Sequence, residues 1–162
     1  MKCLECGAAM RVERKTVPYK CGLPGIFLKT EVRNCSKCGA EEIAVPRMGF
    51  LHRALASFII NKQGSLTGDE IRFLRKSLGW ITGQEFAKHA GVTPETVSRW
   101  ENGKEPIGAT ADRFLRLAVA KWQPVENYSV ASLDSAGSGK QKGRPVRAVA
   151  RIQRNDWKLI PA

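Results

Sequence analysis

The sequence predicts an α+β protein with a small β-rich module at the N-terminus, a helical linker, an all-α domain and a basic C-terminal tail. Three observations lead to this prediction. Two Cys-x-x-Cys pairs enclose segments in which apolar and polar residues alternate, as they do in half-buried strands. Two helix-capping patterns follow, each before apolar residues at helical spacing. Beyond residue 126 large apolar residues become scarce. We place the boundaries of the four parts at 1–47, 48–65, 66–123 and 124–162.

Four of the five cysteines form the pairs Cys3–Cys6 and Cys35–Cys38, and a glycine follows each pair. A Cys-x-x-Cys turn brings two sulfur atoms within reach of one ion, and the glycine lets the chain turn so that backbone amides face the sulfurs. Four thiolates suit a tetrahedral Zn²⁺ and leave no open position for catalysis. The pattern therefore predicts one structural zinc ion, in a module too small to fold without it.

Other cysteine chemistries fit less well. An iron–sulfur cluster also takes four cysteines and stays open as an alternative. Disulfides are disfavoured in the cytoplasm, and a thioredoxin-like site needs a single pair beside a βαβ pattern, which is not visible. Cys21 stands apart from both pairs. We expect it to be half-buried and not a ligand.

The linker and the first helix of the all-α domain follow from spacing. Apolar residues at 51, 55, 58 and 59 predict a helix, and residues 61–65 predict a hinge. Thr67 and Glu70 form a capping box that opens the next helix. Ile71 and Leu74 begin the buried stripe of that helix.

The stretch 82–103 predicts two short helices joined by a tight turn. A second capping box, Thr82 with Glu85, opens the first of them, and Gly91 ends it in a left-handed conformation. Thr93 and Pro94 open the second as N-cap and first helical residue. Two helices arranged in this way form a helix-turn-helix, whose second helix enters the major groove of DNA.

The second helix offers two side chains suited to base edges. Glu95 and Arg99 lie one turn apart on one face, and we expect Val97 and Trp100 to face inward. An arginine can contact guanine in a bidentate manner, and a glutamate can accept a hydrogen bond from cytosine N4. In the alternative interpretation Glu95 and Arg99 only form an i, i+4 ion pair.

The run LGWITGQEFAKHAGVTPETVSRWENGKEP resembles the phage repressor and Cro type of helix-turn-helix, called Xre-like. The resemblance implies an ion pair between Arg75 and Glu101, with Arg72 as the competing partner. The chain differs from the family pattern in a loop one residue longer and in Gly83, where a polar phosphate-contacting residue is common. The residues that the resemblance assigns to base or phosphate contacts are Thr93, Pro94, Glu95, Thr96 and Arg99.

The N-terminal module resembles the zinc finger of the MqsA-type (YgiT-type) antitoxins. The similar features are MKCxxCG, the VPY segment and CxxCGAEE, followed by a helical linker and an Xre-like domain. The resemblance covers about residues 1–122. It implies that the protein neutralises a toxin, an mRNA-cleaving one, through the N-terminal module and represses its own operon.

The charge of the chain suits a polyanionic partner. Twenty-seven basic and 15 acidic residues give a net charge of +12 at pH 7, although charge alone would also suit a membrane surface. The segment 66–123 is the least basic, so we expect the flanking parts to add phosphate contacts. With no apolar run of membrane-spanning length and no signal peptide, we expect a cytoplasmic protein that associates with the nucleoid when bound to DNA.

The C-terminal regions leave alternatives open. Two apolar faces on the last helix of the all-α domain suggest a homodimer, and a wholly internal packing of both faces is almost as well supported.

Residues 135–143 predict a flexible linker. Gly143-Arg144-Pro145 resembles the core of an AT-hook, which binds the minor groove of DNA. A disordered basic tail is the simpler interpretation. Apolar and basic residues alternate at 146–152, so a docked strand is the third possibility.

The sequence carries no phosphate-binding loop, nucleophile elbow or carboxylate-rich cleft, so we do not expect an enzyme. The leading hypothesis is a DNA-binding repressor that acts as the antitoxin of a type II toxin-antitoxin system. The second is a stand-alone zinc-containing regulator without a toxin partner. The third is a thiol sensor in which oxidation ejects zinc and releases DNA.

Overall fold

The computed structural model describes residues 1–122, 128–134, 136, 142–154 and 156–162, and it has the predicted α+β fold. In the described residues three strands precede five α-helices, a short 3-10 helix and two further strands. In chain order these are β1 (Met10–Pro18), β2 (Ile26–Cys35), β3 (Glu41–Ile43), α1 (Met48–Ile60), α2 (Gly68–Ser77), α3 (Gly83–Ala90), α4 (Pro94–Glu101), α5 (Ala109–Trp122), the 3-10 helix Val130–Leu133, β4 (Ala148–Gln153) and β5 (Asp156–Pro161).

Strand β2 is the centre of the sheet. It pairs with β1 in antiparallel register along its whole length, with Met10 opposite Cys35 and Pro18 opposite Phe27. Its other edge is divided between β3, which pairs antiparallel with residues 32–34, and β4, which runs parallel to residues 26–29. β5 pairs antiparallel with β4, so the main order of strands is β1-β2-β4-β5.

The C-terminal strands differ from the expected basic tail at 124–162. Ala148 and Ala150 are fully buried, and the parallel pairing places Ala148 opposite Ile26. Trp157 is buried, and its indole Nε1 donates to the carbonyl of Pro46 at 2.9 Å. Small apolar and basic residues alternate here, which is the pattern of a strand with one buried face, because successive side chains of a strand point to opposite sides. Docked strands, and not a disordered tail, therefore describe Ala148–Gln153 and Asp156–Pro161.

The segment before β4 packs on the helical domain. A Cβ atom on Gly143 would lie 2.0 Å from the carbonyl oxygen of Ser65. The backbone amide of Val146 donates to the buried Glu70 carboxylate at 2.9 Å, and Lys62 Nζ donates to the carbonyl of Arg144 at 2.7 Å. The Gly-Arg-Pro motif is therefore a docked segment in this structure and not a free AT-hook. Most of the expected linker, residues 135 and 137–141, lies outside the described residues.

The expected hinge at 61–65 is held by a buried arginine. Arg116 of α5 is fully buried and donates to the carbonyls of Ile60, Lys62 and Gly64 at 3.0, 2.8 and 2.6 Å. Its Nε donates to Asp112 at 2.5 Å. A buried guanidinium with several charge-assisted bonds fixes the chain segment that it contacts. The segment is thus an ordered joint between α1 and the helical domain.

One continuous hydrophobic core joins the sheet and the helices. On β2 the buried side chains alternate, at Ile26, Leu28, Thr30 and Val32. The buried residues of α1 follow helical spacing and include Leu51, Leu55, Ala56, Ile59 and Ile60. None of the described helices is both long and apolar enough to cross a membrane.

Candidate metal centre and nucleic-acid interface

The two Cys-x-x-Cys turns have the same local geometry. Gly7 and Gly39, which follow the two pairs, have φ angles of 72° and 75°, a region that only glycine adopts without strain. The amide of Gly7 donates to the carbonyl of Cys3 at 2.9 Å, and the amide of Gly39 donates to that of Cys35 at 3.0 Å. β1 and β2 bring the turns together, because Met10 lies opposite Cys35. Each glycine thus permits a tight turn after its cysteine pair, closed by a hydrogen bond to a backbone carbonyl.

The four sulfur atoms of the pairs form one cluster. Their Sγ atoms all lie within 4.8 Å of one another. Cys3 and Cys38 are separated by 3.6 Å between sulfurs, and Cys6 and Cys35 by 3.5 Å. In a tetrahedral site with Zn–S bonds of about 2.3 Å, neighbouring sulfurs lie about 3.8 Å apart. The cluster therefore has the size of a four-thiolate metal site, and it could bind a metal ion.

The electrostatics of the cluster favour a bound cation. The backbone amides of residues 38 and 37 lower the pKa of the Cys35 thiol to about 6. The amide of Ala40 also lowers the pKa of Cys38, but the three neighbouring thiols together raise it to about 12. Four sulfurs at this separation cannot all ionise without a neutralising charge. Four soft thiolate donors this close together fit a single ion such as zinc.

Cys21 lies outside the cluster, as expected. It is partly buried and packs at the margin of the main hydrophobic core. Burial raises the pKa of its thiol. A buried neutral thiol is a poor metal ligand, since the thiolate is the ligating form.

Helices α3 and α4 begin and end where their caps predict. Thr82 and Glu85 form a reciprocal capping box at α3, and Gly91 ends that helix with φ of 67°. The Thr93 hydroxyl accepts from the amide of Thr96 at 3.3 Å, and Pro94 is the first residue of α4. Both N-termini are thus fixed by their own side chains, which pre-forms the turn between the two helices.

The predicted DNA-contacting residues share the accessible side of α4. Val97 and Trp100 are buried and pack on the core of the helical domain. The side chains predicted to contact bases or phosphates lie in the first two turns and are exposed, with Thr96 half-buried: Thr93, Pro94, Glu95, Thr96 and Arg99. An amphipathic helix with this division can enter a groove with its exposed face.

Arg99 forms a different ion pair from the one that spacing suggests. Its Nη1 atom lies 3.5 Å from the carboxylate of Glu105, whereas Glu95 has no ion pair among the described residues. The chain turns back after α4 at Gly103, with φ of 65°, and this return brings Glu105 beside the helix. Both side chains of the Arg99–Glu105 pair are about half exposed, so the pair is weak.

Glu101, the last residue of α4, contacts both arginines of α2. Arg75 donates through Nε to one carboxylate oxygen at 2.5 Å and through Nη2 to the other at 3.2 Å. Arg72 donates through Nε to the carboxylate at 3.3 Å and through Nη2 to the Glu101 carbonyl at 3.2 Å. Arg75 also donates to the carbonyls of Trp80, at 2.9 Å, and Ile81. It therefore fixes the lengthened loop as well as the end of α4.

Several residues beside α4 were missed by sequence reasoning. A depression of about 280 Å³ lies between α3 and α4, and Gln84, Ser98 and Asn102 line it together with Arg72. A Cβ atom on Gly83 would lie 3.4 Å from Val97 Cγ1, which is ordinary van der Waals contact. These polar side chains lie beside α4, and their spacing in the sequence gives no signal for this placement.

The last helix packs on the core along most of its length and leaves two large apolar side chains exposed. Leu115 and Val119 are fully buried, and Phe114 and Ala118 are partly buried against the core. Leu117 and Trp122 are 45% and 71% exposed. Packing within the chain therefore covers part of both apolar faces that the sequence predicts.

A comparison with protein-family models identifies the helical domain. The model of the helix-turn-helix family matches residues 71–120, from the first turn of α2 to the end of α5. No curated protein and no solved structure matches the chain significantly. The match supports a DNA-binding transcription regulator.

Proposed function

We propose that the protein is a sequence-specific transcriptional repressor that binds operator DNA through α4. One observation carries this proposal: the exposed first two turns of α4, fixed by the Thr93 cap, lie within the part of the chain that matches the helix-turn-helix family. In the proposed complex α4 lies in the major groove, Thr93 and Thr96 contact phosphates, and Glu95 and Arg99 face the bases. The proposal assigns the protein no catalytic step.

The proposed metal of the N-terminal module is a single structural zinc ion. Cys3, Cys6, Cys35 and Cys38 would hold it with a closed coordination sphere. The bound ion would neutralise the clustered thiolates and connect the two turns at the end of the β1–β2 hairpin. Supporting this choice are the similar geometry of both turns and the sulfur separations.

The proposed cellular role is that of an antitoxin in a type II toxin-antitoxin system. The protein would bind a toxin through residues 1–47 and repress its own operon through residues 66–123. Support comes from the resemblance of the two Cys-x-x-Cys segments and from the order of the two modules. The exposed apolar side chains of α5 support a homodimer, in which two copies of α4 would contact two operator half-sites.

Selection of duplex DNA from a random pool tests the repressor. We expect a two-fold related site that the native protein binds at least ~10³ times more tightly than unrelated DNA. Equal affinity for all duplexes would contradict a sequence-specific repressor.

Co-expression with the adjacent small reading frame tests the antitoxin role. Growth arrest by that frame, relieved by this protein, is the expected result, and an inert neighbouring frame would leave only the regulator.

The alternative function is a stand-alone zinc-containing regulator without a toxin partner. One observation favours it: β4 pairs with residues 26–29 of β2, so the chain's own C-terminus covers this edge of the sheet. The C-terminal strands also lie outside the residues that resemble the antitoxins. In this alternative the N-terminal module stabilises the fold or binds a different protein.

A further inference from the structure

A cavity of about 420 Å³ lies where the N-terminal module meets the helical domain. The turn at Cys21 and Gly22 forms one wall, Gly49 and His52 of α1 form another, and Phe73 of α2 belongs to the third. The volume lies within the range of small-molecule sites, about 300–1,000 Å³. Neither the cysteines of the cluster nor the residues predicted to contact DNA line it.

One part of the cavity wall is aromatic and uncharged. The ring of His52 packs edge-on against Phe73, with centroids 5.7 Å apart, and its Nε2 lies 2.9 Å from the hydroxyl oxygen of Tyr19. Burial lowers the pKa of His52, so the imidazole is neutral at pH 7. Burial raises the pKa of Cys21, so the thiol remains protonated. A planar apolar group can pack here without meeting a charge.

The rim of the cavity carries an excess of positive charge. Arg53, Arg72 and Lys76 line it with a single acid, Asp69. Arg72 is already paired with that acid at 3.2 Å. Arg53 lies over the Phe50 ring, 5.0 Å from its centroid, and the Lys76 ammonium has no ion-pair or hydrogen-bond partner among residues that the structure describes. Two cations are therefore available for an anion that enters the cavity.

We propose that this cavity binds a small aromatic carboxylate. The ring would pack on His52 and Phe73, and the carboxylate would pair with Lys76 and Arg53 at the rim. Arginine and lysine bind carboxylates by charge-assisted hydrogen bonds, which strengthen when water is partly excluded. An inorganic anion would satisfy the cations but would leave the aromatic surface in contact with water. None of the residues predicted to contact DNA lines the site, although Arg72 lines both this cavity and the depression beside α4.

Calorimetric titration of the full-length protein with salicylate tests the proposal. We expect saturable binding of one salicylate per chain at millimolar concentration or below. Benzyl alcohol, which keeps the ring and lacks the carboxylate, should bind at least about tenfold more weakly, because it cannot pair with the cations. Absence of salicylate binding, or equal binding of the alcohol, would overturn the proposal.

Two variants locate the site within the chain. Gly49 lines the cavity, and a Cβ atom there would meet no atom within 4 Å. We therefore expect the side chain of Gly49→Leu to occupy part of the cavity and abolish binding. Lys76→Gln should weaken binding about tenfold. Lys88→Gln, which removes an exposed cation of α3 outside the cavity, should leave it unchanged. Thermal unfolding confirms that each variant is folded. Binding that survives Gly49→Leu, or that falls equally in both lysine variants, would show attraction to the surface charge and refute the site.

Discussion

Arg75 and Glu101 join the first helix of the helical domain to the end of the proposed recognition helix through two hydrogen bonds, at 2.5 and 3.2 Å. Their side chains are only 7% and 10% exposed. The same guanidinium also holds the loop carbonyls of Trp80 and Ile81. The importance of such a buried ion pair for stability lies mainly in the energetic cost of removing one partner, because the other charge then remains buried without a counter-charge. The pair thereby fixes the position of α4 relative to α2.

Replacing Arg75 with leucine should destabilise the protein by about 3–5 kcal/mol, because Glu101 and two loop carbonyls lose their main donor. Urea unfolding measures the change in free energy. Arg72→Leu is the matched control: Arg72 contacts the same glutamate but is 37% exposed, so its loss should cost no more than about 1 kcal/mol. Equal losses in the two variants would show that Arg75 has no special role.

Replacing Arg99 with alanine should weaken specific DNA binding by about 1–3 kcal/mol and relax the preference at one base pair. The reason is the loss of a bidentate contact that only one base offers. Competition binding against single-base variants of the selected site measures both effects. Arg11→Ala, on the edge strand β1, controls for net charge. If affinity falls equally on every sequence, Arg99 contacts a phosphate and does not read a base.

Replacing Cys35 with serine should remove the metal and destabilise the end of the β1–β2 hairpin that carries the cysteines, because the metal-binding energy is part of the folding energy there. Metal analysis of the purified protein should give about one equivalent of zinc for the native chain and less than half for the variant. Cys21→Ser, outside the cluster, should keep the native content. A brown chromophore in the native protein would identify an iron–sulfur centre instead.

Replacing Gly143 with alanine should destabilise the protein by about 1–3 kcal/mol, as overpacking of a close contact does. The added Cβ would lie 2.0 Å from the Ser65 carbonyl oxygen, so the segment before β4 must move away from the helical domain. Gly49→Ala is the control, since a Cβ there meets nothing within 4 Å. Thermal unfolding of each variant and of the native protein measures the change in stability. Equal stability of both variants would contradict the close packing of this segment.

Removing the charge of Glu85 should reduce the acid sensitivity of the fold. Hydrogen bonds from the backbone amide and hydroxyl of Thr82 lower the pKa of Glu85 below its ordinary value of 4.5. Its contribution is therefore complete above that value and disappears as the pH falls through the folded-state pKa. We expect Glu85→Gln to lose less stability than the native protein between about pH 7 and pH 3.

The comparison needs urea unfolding at both pH values. Glu95→Gln is the control, because Glu95 has no ion pair in the described part of the chain, and it should change the acid sensitivity little. A native-like pH dependence in Glu85→Gln would contradict the proposed role of the capping carboxylate.

Local patterns were enough to predict the functional parts of the chain. Caps at Thr67, Thr82 and Thr93 and the glycines after the cysteine pairs act within a few residues, so their effect does not depend on the rest of the fold. The turn after each cysteine pair follows from these short-range signals, whereas the pairing of β1 with β2 brings the two turns together. The family match at residues 71–120 agrees with the helix-turn-helix predicted from the caps.

Long-range contacts could not be predicted in the same way. Nothing near Ala148 indicates that it pairs with Ile26. This pairing joins segments far apart in the chain, and the packing of the whole core decides it. The Arg99–Glu105 pair spans only six residues and depends on the turn at Gly103 after α4.

By itself, the sequence determined where helices begin and end, which residues can bind a metal, and which face of α4 remains accessible. Only the tertiary structure decided that the C-terminus completes the N-terminal sheet and that Arg116 closes the joint between the two parts. It also decided that a cavity with a cationic rim lies between them. The physical reason is that helix caps and Cys-x-x-Cys turns form through contacts within one turn of chain. Burial, in contrast, is shared among segments far apart in the sequence.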